Sequence, residues 1–287
     1  MPTLPETSVS ATDSYLNLLL SFPNLDSNTV LGYCLLVLMR IIPILILAPF
    51  LGAKNVPGTI RMMFAIALTA IIIPGVLMNA KNDINFNLLF VGYTLKELFI
   101  GFIIGFFVSI PFNIAQSSGS LIDFIRGSQA LQVTDPTTQA QTGPLGLVYN
   151  YILIVIFFSL DGPFLFFNGL VTSFQLIPPD SFFSPLFFSL KLPVWKLSLS
   201  MLNTLMSLAI QLAAPSIVGI LMTEMFLGIA NRLAPQVQIV FLGIPLKSWV
   251  GVAFLLVAWY FVLNQLGKES LNWLKIIDNT IHHMKYT

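Results

Sequence analysis

Residues 88–112 read LLFVGYTLKELFIGFIIGFFVSIPF. A helix needs about 17–25 mostly apolar residues to cross a hydrocarbon core of about 30 Å, and this stretch has that length and character. It holds two adjacent ionisable residues, Lys96 and Glu97. Glu97, Gly101, Gly105 and Ser109 then recur every fourth position, which puts them on one helical stripe. Small residues on such a stripe let a second backbone approach closely, which is how helices associate in lipid. The stretch predicts a membrane-spanning helix and an all-α chain.

Four more runs have similar character: Leu31–Phe50, Met62–Asn79, Leu197–Ala230 and Ser248–Leu266. Leu145–Ile177 differs. As one helix it would reach about 50 Å, too long for the bilayer core, and Asp161-Gly162-Pro163 interrupts it. Proline disfavours helix in the residue before it, and glycine supplies a turn, so two short helices that enter and return are expected. Leu197–Ala230 is also overlong and carries Pro215, where a kink or break is expected. Asn113–Pro144 is rich in Ser, Thr, Gln and Gly and reads as a polar, plug-like loop. The chain thus divides into a polar N-terminal segment, 1–30, one helical membrane domain, 31–266, and a basic tail, 267–287. The expected fold class is an all-α polytopic membrane protein with helical hairpins and broken helices.

Composition agrees. The 287 residues include 13 basic and 12 acidic ones, so 9% are charged, while 56% are hydrophobic. A soluble domain carries roughly a quarter charged residues. The mean hydropathy is +0.87. An ordinary cytosolic enzyme, a disordered chain and a basic nucleic-acid binder are excluded. The single Cys34 precludes an intrachain disulfide or a cysteine-based metal site. Residues 1–30 contain Glu6, Asp13 and Asp26 and no Lys or Arg, so no cleaved signal peptide is expected. With the N-terminus outside and five crossings, Lys54, Arg61, Arg126, Lys191, Lys196, Lys268, Lys275 and Lys285 lie inside. Only Lys81, Arg232 and Lys247 lie outside. The excess of inside cations favours a cytoplasmic C-terminus.

Ionisable residues within apolar runs are costly and each needs a reason. They are Arg40, Lys96, Glu97 and Glu224. Arg40 and Glu97 fall at similar depth, so a pair between them is expected. It serves either as an interhelical or partner-facing contact or as part of an ion or proton relay. Ser200, Asn203 or Thr204, Ser207 and Gln211 form a polar stripe that lines water or meets a partner helix. The paired phenylalanines at 157–158, 166–167, 182–183 and 187–188 read as lipid or interface packing. No HExxH, GxSxG or GxxxxGK[ST] motif is present, and no catalytic, metal or cofactor residue is expected.

Three stretches are more specific: VPGTIRMMFAIALT at 56–69, AQSSGSLIDFIRGSQALQVTDP at 115–136 and NRLAPQVQIVFLGIPLK at 231–247. In this order, from residue 31 on, the chain resembles the FliR/SctT family of type III export-apparatus membrane proteins. The arrangement Asp123-x2-Arg126-Gly127 is more similar to the injectisome (SctT) branch than to the flagellar (FliR) branch. The resemblance implies a non-enzymatic export-gate subunit without cofactors. It implies SctR-, SctS- and SctU-type partners, unfolded polypeptides as cargo, and no nucleic acid. It implies a multi-pass protein of the bacterial inner membrane, with part of the assembly above the bilayer on the periplasmic side. It maps channel closure onto 115–136, with Gly119, Asp123, Arg126, Gly127, Asp135 and Pro136 as matching residues. Asn231, Arg232, Pro235, Gln236, Gly243, Pro245 and Lys247 match the second motif, whose implied role is structural.

Two rivals differ in what they require. A small-solute or ion transporter calls for an inverted repeat with paired broken helices, and the two halves of this chain do not match. A membrane-embedded enzyme calls for a polar catalytic cluster near one face, which the sequence does not offer.

Overall fold

The computed structural model describes residues 27–51, 56–80, 82–127, 133–134, 141–182, 193–234 and 239–283. Within them lie eight α-helices: α1 (Ser27–Leu47), α2 (Gly58–Leu77), α3 (Leu88–Ile125), α4 (Pro144–Ser159), α5 (Gly162–Leu176), α6 (Pro193–Leu233), α7 (Ile239–Val257) and α8 (Trp259–His283). A 3-10 turn at Pro49–Leu51 follows α1. Strands β1 (Val133–Thr134) and β2 (Gln141–Thr142) form a two-residue antiparallel ladder, with Val133 opposite Thr142. The all-α class holds.

Helix α3 is the axis of the molecule. It packs along α1, α4 and α6 and touches α8. Lipid tails are as apolar as leucine, so burying aliphatic area is not what joins helices in a bilayer; close packing and internal hydrogen bonds are. The α1–α3 contact shows this. A Cβ on Gly101 would lie 2.2 Å from the Arg40 carbonyl oxygen, and one on Gly105 would lie 3.1 Å from Ile44 Cα. The small-residue stripe therefore faces α1.

Helices α3 and α4 run antiparallel: Phe112 meets Phe157 at one end, with ring centroids 5.5 Å apart, and Gly119 meets Leu145 at the other. Helices α6 and α7 form an antiparallel hairpin in which Gly219 lies by Phe254 and Ile220 by Gly251. The outward faces are apolar. Ile60, Met62, Met63, Phe64, Ile66 and Ile71 are exposed on α2, as are Met222, Met225, Phe226 and Ile229 on α6. With charge inside and hydrocarbon outside, the pattern is that of an integral membrane protein. Four helices are long and apolar enough to cross a membrane, or up to six spans if each of two bent pairs counts as one.

Several local expectations are corrected. The polar loop does not begin at Asn113, because α3 continues as helix to Ile125. Ser118, Gly119, Ile122 and Asp123 are buried there, so tertiary packing overrides the loop-like composition. Gly119 is thus a close-packed helical position against Leu145. The bend comes at Gly127, whose φ of 81° ends the helix. Helix α6 runs unbroken through Pro215; neighbouring helices re-satisfy backbone groups freed by proline in such settings. The run Ser248–Leu266 is not one straight helix. It bends by 62° where α7 meets α8, since α7 follows α6 while α8 turns onto α5, α4 and α3. Residues 267–283, read as tail, are helical because Leu266 and Trp273, two turns apart, are buried on one face. The break at Asp161-Gly162 is present, with Asp161 at φ 56°, but α4 and α5 meet at 74°, an elbow rather than a full return. Phe157 and Phe166 are core residues packed on Phe50 rather than lipid-facing.

Lengths bear on the bilayer. Helices α3 and α6 have 38 and 41 residues. At 1.5 Å per residue they extend about 57 and 62 Å, about twice the hydrocarbon thickness.

Candidate functional site

Two polar constellations interrupt the apolar interior. The first joins α1, α3 and α5. Arg40 is wholly buried and donates through Nε to Glu97 Oε2 at 2.5 Å and through Nη2 to Glu97 Oε1 at 2.9 Å. This is the bidentate geometry that guanidinium and carboxylate share. Two further donors are used: Nη1 reaches Ser173 Oγ at 3.2 Å, and Nη2 reaches the Ile177 carbonyl at 2.7 Å. The Phe174 ring lies 4.1 Å from Arg40 Cζ, a cation–π contact.

Lys96 completes this cluster. Its Nζ lies 2.8 Å from Glu97 Oε1. It also donates to the carbonyls of Pro178, Pro179 and Ser181 at 2.8, 3.1 and 2.7 Å. Asp180, in the same turn, accepts from the Asn82 backbone N–H at 3.2 Å, and Tyr33 donates to the Asn82 carbonyl at 3.0 Å. The Arg40–Glu97 pair was visible in the sequence. The Ser173, Ile177 and Pro178–Ser181 partners were not, since most of them are backbone oxygens.

The second constellation is at the base of the loop between α3 and α4. Asp123 accepts from Arg126 Nη2 at 2.5 Å through Oδ1. Its Oδ2 accepts from the backbone N–H of Leu145 at 2.8 Å and of Gly146 at 3.4 Å. These are N–H groups of the first turn of α4, which have no partner within their own helix. Asp123 thus acts as an N-cap donated from another helix, with its negative charge at the positive end of the α4 dipole. The approach is close, because a Cβ on Gly143 would collide with the Asp123 side chain. Arg126 also reaches Ser248 Oγ on α7 at 3.5 Å. Asp123 and Arg126, three residues apart, pair with each other and together tie three helices, α3, α4 and α7.

Glu224 and Lys247 form an ion pair across the α6–α7 hairpin. They line a groove of about 240 Å³ together with Leu227, Gly228, Asn231, Gly243 and Ile244. Four residues singled out in the sequence, Glu224, Asn231, Gly243 and Lys247, therefore meet at one place. Arg232 is exposed near the end of α6, and Pro245 is exposed within α7. Asp135, Pro136, Pro235 and Gln236 lie outside the described residues. Among the described residues, no three metal-ligating side chains come together.

The fold and its buried charges define an all-α, polytopic membrane protein with its polar network turned inward. Residues 31–272 match the family described as bacterial export proteins, family 1, and the chain belongs to that family. It is 32% identical over 181 residues to the secretion system apparatus protein SsaT of Salmonella typhimurium, covering 62% of this chain and 67% of that one. It is 29% identical over 223 residues to the flagellar biosynthetic protein FliR of Bacillus subtilis, covering 78% and 84%. It is 30% identical over 178 residues to the Yop proteins translocation protein T of Yersinia pestis, covering 61% and 66%. Both secretion-system and flagellar names stand among these relatives.

Proposed function

We propose that this chain is a structural and gating subunit of a type III export gate. In this reading it helps form and close the channel through which unfolded proteins cross the bacterial inner membrane. Its partners are SctR-, SctS- and SctU-type subunits, and the chain does no chemistry of its own. The C-terminus faces the cytoplasm, and helices of twice the bilayer thickness carry part of the assembly above the membrane on the periplasmic side.

The observation that carries the proposal is the Asp123 clasp. The family resemblance maps channel closure onto 115–136, which covers the last turns of α3 and the start of the segment that follows it. A closing loop needs a base that does not move and a span that can. Here Asp123 fixes the base: it holds Arg126 on one side and the start of α4 on the other. Gly127 at φ 81° releases the chain from the helix just beyond the clasp. Between them, 127–143 is polar and rich in Ser, Thr, Gln and Gly, with little apolar surface to retain a passing polypeptide.

Purification of the tagged chain in mild detergent tests the assembly. Recovery of distinct export-apparatus subunits in fixed ratio supports the proposal. A chain recovered alone that binds a small solute supports a transporter instead.

A further inference from the structure

The buried ammonium of Lys96 has an unusual environment. Four oxygens surround it: the carbonyls of Pro178, Pro179 and Ser181, and Glu97 Oε1, at 2.7 to 3.1 Å. Three come from one turn of backbone, whose carbonyls all point at a single spot. Such a shell is what proteins use to replace the hydration of a monovalent cation. The Ile177 carbonyl, just before it, is taken by Arg40. The segment 177–181 thus directs a run of oxygen dipoles at the buried cluster of Arg40, Lys96 and Glu97, and carries the buried Asp180 carboxylate in the same turn.

We propose that this turn and Glu97 form a monovalent-cation site whose resident cation is the tethered ammonium of Lys96. Lys96 is in this sense a positioning residue. Its charge, more than its hydrogen-bonding capacity, holds Pro178–Ser181 against α3 and fixes the exit from α5. Carbonyl dipoles facing one another in a buried space repel unless a positive charge sits among them. Phe182 follows the turn and stacks on Tyr93, one helical turn before Glu97, with ring centroids 4.4 Å apart. The turn is therefore seated at two points, and the ammonium is the polar one.

The test is thermal unfolding of the full chain in mild detergent, at equal ionic strength, in potassium chloride, sodium chloride or N-methylglucamine chloride. The wild type should unfold at the same temperature in all three. Lys96→Ala should unfold about 5 °C or more lower in N-methylglucamine. Potassium should recover at least half of that loss, because contacts of 2.7 to 3.1 Å suit a large monovalent ion. An Ala variant insensitive to the salt, or as stable as wild type, overturns the proposal. Lys96→Gln keeps amide donors without the charge and decides the matter if the Ala variant does not accumulate. It should also fall by about 5 °C or more; Gln matching wild type would mean that hydrogen bonding alone suffices.

Discussion

Arg40 on α1 and Glu97 on α3 meet through two hydrogen bonds, and neither side chain has any exposed surface. The pair sits one turn from Gly101, whose lack of a side chain lets α3 lie against the Arg40 carbonyl. Charge pairing and close packing thus reinforce one another at a single level of the α1–α3 interface. Removing one partner of a buried pair leaves the other uncompensated and typically costs about 3–5 kcal/mol. Glu97→Ala leaves Arg40 and Lys96 without their shared carboxylate and should lower stability by that order, whereas Arg40→Ala leaves Glu97 paired with Lys96 and should lower it less. The double variant should lose less than the sum, because once Glu97 is gone the second substitution removes the orphaned Arg40 charge. A double-mutant cycle from unfolding in detergent measures this coupling, and a coupling of zero would contradict it.

Gly101 and Gly105 should differ in tolerance. Gly101→Ala drives a methyl group into the Arg40 carbonyl, which belongs to a helix backbone and cannot swing aside. Gly105→Ala meets Ile44 and Leu47 at 3.1 Å, where small shifts suffice. Overpacking costs about 1–3 kcal/mol, and more where backbone must move. The yield of folded chain after detergent extraction should fall sharply for the first and mildly for the second. The reverse order would count against the α1–α3 contact.

Asp123 should matter for stability at the start of α4. Losing an N-cap costs about 0.5–2 kcal/mol. Asp123→Ala should lower the unfolding temperature and speed proteolysis within 128–140, while Asp123→Asn, which keeps an acceptor oxygen for the Leu145 N–H, should do so less. Equal behaviour of the two variants would mean that the Arg126 charge pair, not the cap, holds the loop base.

Some of this was legible in the sequence and some was not, for physical reasons. Arg40 and Glu97 could be matched because opposite charges buried at one depth have few other partners. The stripe through Gly101 and Gly105 could be read because helical spacing alone puts small residues on one face. Lys96 could not be placed, since backbone carbonyls supply three of its four partners and any sequence has carbonyls. The extension of α3 through Ser117–Gly119 was hidden because polar composition resembles a loop. Only the close fit of Gly119 on Leu145, a contact between residues 26 apart, makes it helix. The bend between α7 and α8 has no proline or glycine at Ala258 to announce it; the two helices simply pack on different neighbours.

Orientation gives another expectation. In the proposed topology, which rests on the distribution of basic residues, the C-terminus faces the cytoplasm. Reporter fusions at the C-terminus should be active when the reporter functions in the cytoplasm and silent when it needs the periplasm. The opposite pattern would require a different number of crossings through the two bent pairs.

Closure of the channel is the central claim, and leakage through the assembled complex tests it most directly. Residues should be removed from within 129–140, with Asp123, Arg126 and Gly143 kept so that the clasp and the α3–α4 packing survive. Ion conductance or dye entry is then followed in cells carrying the complex, with recovery of the complex checked in parallel. The complex should assemble normally but leak when no substrate is being exported. A complex that assembles normally and stays sealed would contradict that claim and leave this loop a connector between two packed helices.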